Sequence, residues 1–336
     1  MPRMTATVST SPAVARYARV LTIAGSDSGG GAGIQADLKT FAALGCYGMS
    51  AITALTAQNT VGVQGIHAVP PAFLKAQLQS VIEDIGVDAV KIGMLHEPGV
   101  VDVVAWAIEH YRLERVVLDP VMVATSGDKL IEDETVRVLV ERLFPLATLI
   151  TPNLDEAALL LQQPIPSVEA LSASAHALVA QGARAVLLKG GHLPGDQVVD
   201  VLARPGATDL VLKSARIASR NTHGTGCTLS SAIAAHLALG ETLDGAVKAA
   251  RAYIVSAIEA GASVQVGHGH GPLNHGFTQT IAGGDEHHIF KTRFGVDGEH
   301  HTSCAGVRAH HALHTGRQGH IGVGKALVHA VADGAV

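Results

Sequence analysis

The chain has 336 residues, with 24 Lys+Arg against 29 Asp+Glu, 47% hydrophobic residues and 3% aromatics. Disorder is excluded, because it needs low hydrophobicity and high net charge, and three cysteines are too few for a disulfide scaffold. A net charge of -5 supplies no basic field for nucleic acid or an anionic membrane, and no run approaches the ~18 apolar residues of a membrane span. The profile is that of a soluble, enzyme-sized protein of a reducing, cytoplasmic compartment.

In chain order, residues 1–18 are rich in Ser, Thr and Ala and lack acids. They read as a short disordered lead-in or as a weak transit-peptide composition. Apolar runs then predict buried strands at 20–24, 49–55, 89–92, 116–118, 148–150 and 185–188. Helical patterns alternate with them at 33–44, 72–85, 99–109, 132–143, 154–161 and 168–181. Strands apolar on both faces and joined by helices imply a mostly parallel sheet covered on each side. The rhythm changes at 198–202 and 210–217, two strand signals split by Arg204-Pro205-Gly206, which predicts a hairpin on the sheet edge. Two long helices, 226–239 and 243–260, close one doubly wound α/β domain over residues 19–277. After it, residues 278–336 hold 9 of the 19 histidines, a shift in composition that marks a boundary.

Ligands in such sheets sit at the carboxyl ends of strands, so the loops after strands carry the information. The first loop, GSDSGGGAG at 25–33, fits neither the dinucleotide fingerprint nor a Walker A loop, and alone it reads equally as a strand-to-helix turn. NTHGTGCT at 221–228 opens a helix, where free N–H groups and the dipole form an anion hole. Cys227 at that terminus is expected to have a lowered pKa and an accessible thiolate. In TPNLDE at 151–156, Asn153 and Glu156 lie three apart at a helix start. They suit Mg²⁺, which takes few protein oxygens, or they form a capping box. Asp119 and Lys189 close two strand ends, the lysine followed by two glycines as for a phosphate contact and the carboxylate able to support a metal. Jointly these features point to phosphoryl transfer from a nucleotide without a P-loop, chemistry that depends on positioning and charge neutralisation.

The segments AGSDSGGGAGIQADLKTFAALGCYGMSAITALTAQNT, KIGML, LDPVM, TPNLDEA, LLKGGH, NTHGTGCTLSSAIAA and VGHGHGP resemble the hydroxymethylpyrimidine and phosphomethylpyrimidine kinases of thiamine biosynthesis, over about residues 19–277. The resemblance implies a ribokinase-like three-layer α/β/α domain, two successive ATP-dependent transfers with Mg²⁺, and a homodimer. Carried over by residue, it places Gly25, Asp37, Gln58, Met94 and Val121 around the aminopyrimidine. It places Lys189 on the ATP phosphates, Asn153 and Glu156 in the Mg²⁺–phosphate motif, and Thr222, Gly224, Thr225 and Gly226 at the anion hole. Cys227 takes the position of the base, or orients the acceptor. Alternatives of the same fold are a pyridoxal or pyridoxine kinase and a catalytically silent pyrimidine-binding protein. The tail departs from the resemblance. Its GHIGVGKA run, 319–326, lacks the hydroxyl of a Walker A motif, its paired histidines match no structural zinc spacing, and a disordered extension is expected there.

Overall fold

The computed structural model describes residues 16–122 and 131–277, which belong to one compact unit. The expectations for residues 1–15 and for the tail from 278 onward lie outside the described residues. Nine strands, β1 (Arg19–Asp27), β2 (Tyr47–Gln58), β3 (Val63–Ala68), β4 (Ala89–Ile92), β5 (Val116–Leu118), β6 (Leu149–Ile150), β7 (Val186–Lys189), β8 (Gln197–Ala203) and β9 (Leu210–Ala215), form one sheet. Its order is β3-β2-β1-β4-β5-β6-β7-β8-β9. From β2 to β7 neighbouring strands run parallel, while β3, β8 and β9 are antiparallel to their neighbours.

Side chains of the central strands alternate between two cores, as the period of two requires. Leu21, Ile23, Val90, Ile92, Val116, Leu118, Ile150 and Leu188 enter one core. There they meet α2 (Pro71–Asp84), α3 (Pro98–Tyr111), α4 (Asp133–Leu143), α5 (Leu154–Leu161) and α6 (Ala170–Ala180). Val20, Ala89, Val117, Leu149 and Leu187 enter the other, beneath α1 (Gly33–Ala43), α7 (Thr225–Ala238) and α8 (Leu243–Gly261). This gives the three layers expected, and the β8–β9 hairpin lies at the sheet edge as its turn signal predicts.

One strand departs from the sequence reading. β3 pairs antiparallel with the end of β2 and forms the opposite edge. Its residues, Val-Gln-Gly-Ile-His-Ala, are mostly exposed, so no buried apolar run announced it. Among the described residues, no helix is long and apolar enough to cross a membrane.

Candidate active site

A cavity of about 570 Å³ opens at the carboxyl ends of the parallel strands. Its wall includes Gly25, Gln58, Met94, Val121, Asp119, Asn153, Glu156, Lys189, Thr222, Gly224, Thr225, Gly226 and Cys227. Every site residue named from the sequence is among them except Asp37. That side chain is fully buried behind the wall, paired with Lys91 at 2.9 Å. The structure therefore corrects Asp37 from a pocket contact to a support beneath the pocket.

The glycine loop owes its shape to Asp27, the last residue of β1. The N–H of Gly29 donates to its Oδ1 at 2.8 Å, and the N–H groups of Gly31 and Ala32 donate to its Oδ2 at 3.0 and 2.8 Å. His223 Nε2 lies 2.9 Å from the same Oδ2. Burial raises the pKa of Asp27, but the His223 bond and the N–H groups of Ala32 and Gly29 outweigh it and hold the carboxyl below its usual range. Backbone crowding explains two glycines. Gly224 has φ +85°, and a Cβ there would lie 1.9 Å from Gly31 O; at Gly33, φ +56°, a Cβ would lie 2.4 Å from Gly25 O. The two loops thus touch, backbone against backbone.

Gly224 is the N-cap of α7, and its first turn, Thr225, Gly226 and Cys227, lines the cavity, with the Thr225 N–H already donated to Thr222 O at 3.2 Å. That turn backs onto an ion pair. A Cβ on Gly226 would meet Lys189 Nζ at 3.2 Å and Asp119 Oδ2 at 3.4 Å. Lys189 Nζ donates to Asp119 Oδ1 at 2.9 Å, and Thr151 Oγ1 donates to the same oxygen at 3.0 Å. Burial opposes the charge on Asp119, yet Lys189 and Lys91 prevail and keep its pKa low. Lys189 is held protonated against burial by Asp119 and Glu156. Glu156 is pushed up to about 7 by burial, with Lys189 opposing and Asp119 adding to the shift.

Asn153 and Glu156 form the capping box of α5. The Glu156 N–H donates to Asn153 Oδ1 at 2.9 Å, and the Asn153 N–H donates to Glu156 Oε2 at 2.8 Å. Asp119, Asn153 and Glu156 all line the cavity, with Asn153 Oδ1 and Glu156 Oε2 each accepting one backbone N–H of the box. The two carboxylates, hard oxygen donors without a dedicated cage, fit Mg²⁺, which keeps waters and phosphate oxygens as its other ligands.

Cys227 corrects a second expectation. Burial pushes its thiol up to about 11, with Lys91 opposing the shift and Asp37 and Asp119 adding to it. Loss of hydration outweighs the helix terminus, so the group rests as a neutral thiol. Three residues at the site were not singled out from the sequence. Asp27 and His223 join the two loops, and Lys91 is a charged residue inside the four-residue buried strand Ala89–Ile92. A lysine in a strand covered on both faces was the available signal.

The chain matches the family model described as phosphomethylpyrimidine kinase over residues 27–274. It is 51% identical over 256 residues to the hydroxymethylpyrimidine/phosphomethylpyrimidine kinase of Rhizobium meliloti, covering 76% of this chain and 96% of that protein. It is 54% identical over 256 residues to the thiamine biosynthesis bifunctional protein ThiED of Geobacter sulfurreducens, covering 76% of this chain and about half, 52%, of that longer protein. The solved pyridoxal kinase of Staphylococcus aureus, in complex with AMP-PCP and pyridoxal, superposes with a TM-score of 0.71 at 34% identity, over 78% of this chain and 94% of that one.

Proposed function

Because the chain belongs to the phosphomethylpyrimidine kinase family, we propose that it phosphorylates 4-amino-5-hydroxymethyl-2-methylpyrimidine with ATP, and then the resulting monophosphate, to give the diphosphate used in thiamine diphosphate biosynthesis. The observation that carries this reading is one cavity wall holding the α7 N-terminus, the Lys189–Asp119 pair and Glu156 together with Gly25, Gln58, Met94 and Val121. The first group suits phosphates. The second offers a largely apolar slot with one amide, as a methylated aminopyrimidine requires.

In this reading Lys189 and the N–H groups of Gly226 and Cys227 neutralise charge on the transferred phosphoryl group. Asp119 and Glu156 would hold Mg²⁺, which supplies further neutralisation of the phosphates when bound. The acceptor oxygen forms the new P–O bond as the bond from that phosphorus to the ADP oxygen breaks, and the hydroxyl proton passes late to an oxygen of the transferred phosphoryl group. A loose transition state needs little base strength, so a neutral Cys227 thiol serves by orienting the hydroxyl. We place the chain in the cytoplasm, acting as a homodimer, and sedimentation velocity tests the second point.

The test is ATP consumption by the purified chain with the hydroxymethylpyrimidine, its monophosphate and pyridoxal offered separately, with and without Mg²⁺. Mg²⁺-dependent turnover of both pyrimidines is expected. Turnover of pyridoxal alone moves the acceptor to the vitamer that the S. aureus relative's structure contains. Tight pyrimidine binding without turnover makes the chain a silent binder.

A further inference from the structure

The connection from β7 to β8, residues 190–196, borders the cavity, which Gly191 and His192 line beside Lys189. Its root is fixed by the sheet. Lys189 and Asp200 are register partners on β7 and β8, and the Gly190 N–H donates to Asp200 Oδ1 at 2.9 Å. A Cβ on Gly190 would lie 2.1 Å from Val199 O, so the chain turns flat against β8. Beyond that root the segment leaves the sheet, and residues 194–196 are exposed. One side chain gathers it. Arg216, the residue after β9, donates from Nε to Gly195 O at 2.7 Å, from Nη1 to Gly191 O at 2.8 Å and from Nη2 to Leu193 O. Its backbone N–H donates to Asp196 O at 2.8 Å. Three nitrogens of one rigid plane thus hold the carbonyls of residues 191, 193 and 195. The fork of a guanidinium supplies that geometry, and the single nitrogen of an ammonium does not.

We propose that Arg216 is a positioning residue for the nucleotide, a hub that winds residues 190–196 into the shape ATP meets beside Lys189. The proposal deepens the kinase reading and rests on it for the nucleotide. A glycine-containing loop that ordered only when ATP arrived would lose affinity to its own ordering, and a loop already wound on a guanidinium does not. Arg216 lines the cavity together with Ser214 and Ala215 of β9 and Val198 of β8. Gln58 and Gly25, the groups assigned to the pyrimidine, lie on β2 and β1. In the sheet order β4, β5, β6, β7 and β8 stand between β1 and β9. A change at Arg216 therefore acts on the nucleotide end of the cavity and spares the acceptor end.

The experiment is titration calorimetry on the full-length chain with Mg²⁺, using AMP-PCP and, separately, the hydroxymethylpyrimidine. Arg216→Lys keeps the charge and loses the fork, and Arg216→Gln loses both. Each is expected to weaken AMP-PCP about tenfold, the equivalent of one hydrogen bond to a charged group, with pyrimidine affinity within about twofold of wild type. Gly195→Ala perturbs the same loop at an exposed position. No atom lies within 4 Å of the added Cβ, but φ +115° strains any L residue. It is expected to weaken AMP-PCP several-fold. Wild-type nucleotide affinity in Arg216→Lys overturns the proposal, because charge alone would then suffice. An equal fall in both affinities overturns it too, since a general loosening of the domain does that. If the Arg216 variants do not fold, Gly195→Ala decides, and unchanged AMP-PCP binding refutes the hub. A wild-type chain that binds no AMP-PCP removes the kinase reading and this proposal with it. One that binds AMP-PCP but not the pyrimidine removes only the acceptor assignment, and pyridoxal then serves as the second titrant.

Discussion

Asp27→Asn isolates the carboxylate that shapes the glycine loop. The substitution keeps size and leaves one acceptor oxygen. The N–H groups of Gly31 and Ala32 and the His223 ring nitrogen all converge on Oδ2. If the amide oxygen takes the Oδ2 position, Gly29 N–H faces an NH₂ group; in the other orientation two loop N–H groups do. Each buried donor left without an acceptor costs roughly 1–3 kcal/mol, and the site is only 3% exposed. A loss of about 3 kcal/mol follows, equivalent to a fall in Tm of roughly 6–12 °C for a domain of this size. The pH dependence has a defined sign. A carboxyl with a lowered folded pKa contributes stability that is present above its unfolded value near 3.8 and is lost as pH falls through the folded value. Urea unfolding at pH 7 and pH 3 measures both effects. Because Gly25–Gly33 borders the acceptor pocket, KM for the pyrimidine is expected to rise as well. A variant within 0.5 kcal/mol of wild type at pH 7 would show that the loop holds its shape without Asp27.

Three further outcomes follow from the geometry. Cys227→Ser, which keeps a small neutral orienting group, is expected to retain at least about a tenth of kcat, whereas Cys227→Ala loses on the order of 100-fold; an equal loss in both variants contradicts an orienting role. Gly224→Ala puts a Cβ 1.9 Å from Gly31 O at φ +85° and should displace the first turn of α7, costing turnover about 100-fold; activity near wild type would refute the crowding argument. Burial lowers the pKa of His275 to about 4, and Thr228 Oγ1 lies 2.9 Å from its Nε2. The unfolded chain binds the proton more tightly, so stability falls as pH drops from about 6.5 to 4, by about 3 kcal/mol. Denaturant titrations of His275→Gln should lose that slope, and an unchanged slope would assign it elsewhere.

How much of this was legible depended on burial. The central strands were readable because both faces are covered, so runs such as Val116–Leu118 are apolar throughout. β3 was not, since an exposed edge leaves no apolar alternation to detect. Among site residues, the α7 loop and Lys189 stand out as glycine and charge at strand ends, and the structure brings them to one cavity. The Asn153–Glu156 spacing left a metal pair and a helix cap open, and the cap is what the backbone N–H groups satisfy. Cys227 was misjudged because a helix terminus is visible in sequence while the dehydration that overrides it is not. Asp37 was displaced from the pocket for a similar reason, since its partners Thr22, Lys91 and Ser231 lie far from it in the chain.

The contact between His223 and Asp27 spans 196 residues, and that between Ser231 and Asp37 spans 194. A ribosome adding roughly 5–20 residues per second needs on the order of 10–40 s to cross such a gap. During that interval the nascent chain carries the glycine loop and the Asp37 carboxylate but lacks the His223 loop and the α7 helix that complete them. No amino-terminal fragment ending before α7 can hold a formed pocket, however well its strands have paired. Competence therefore arrives late and all at once, when the final pair of helices leaves the exit tunnel.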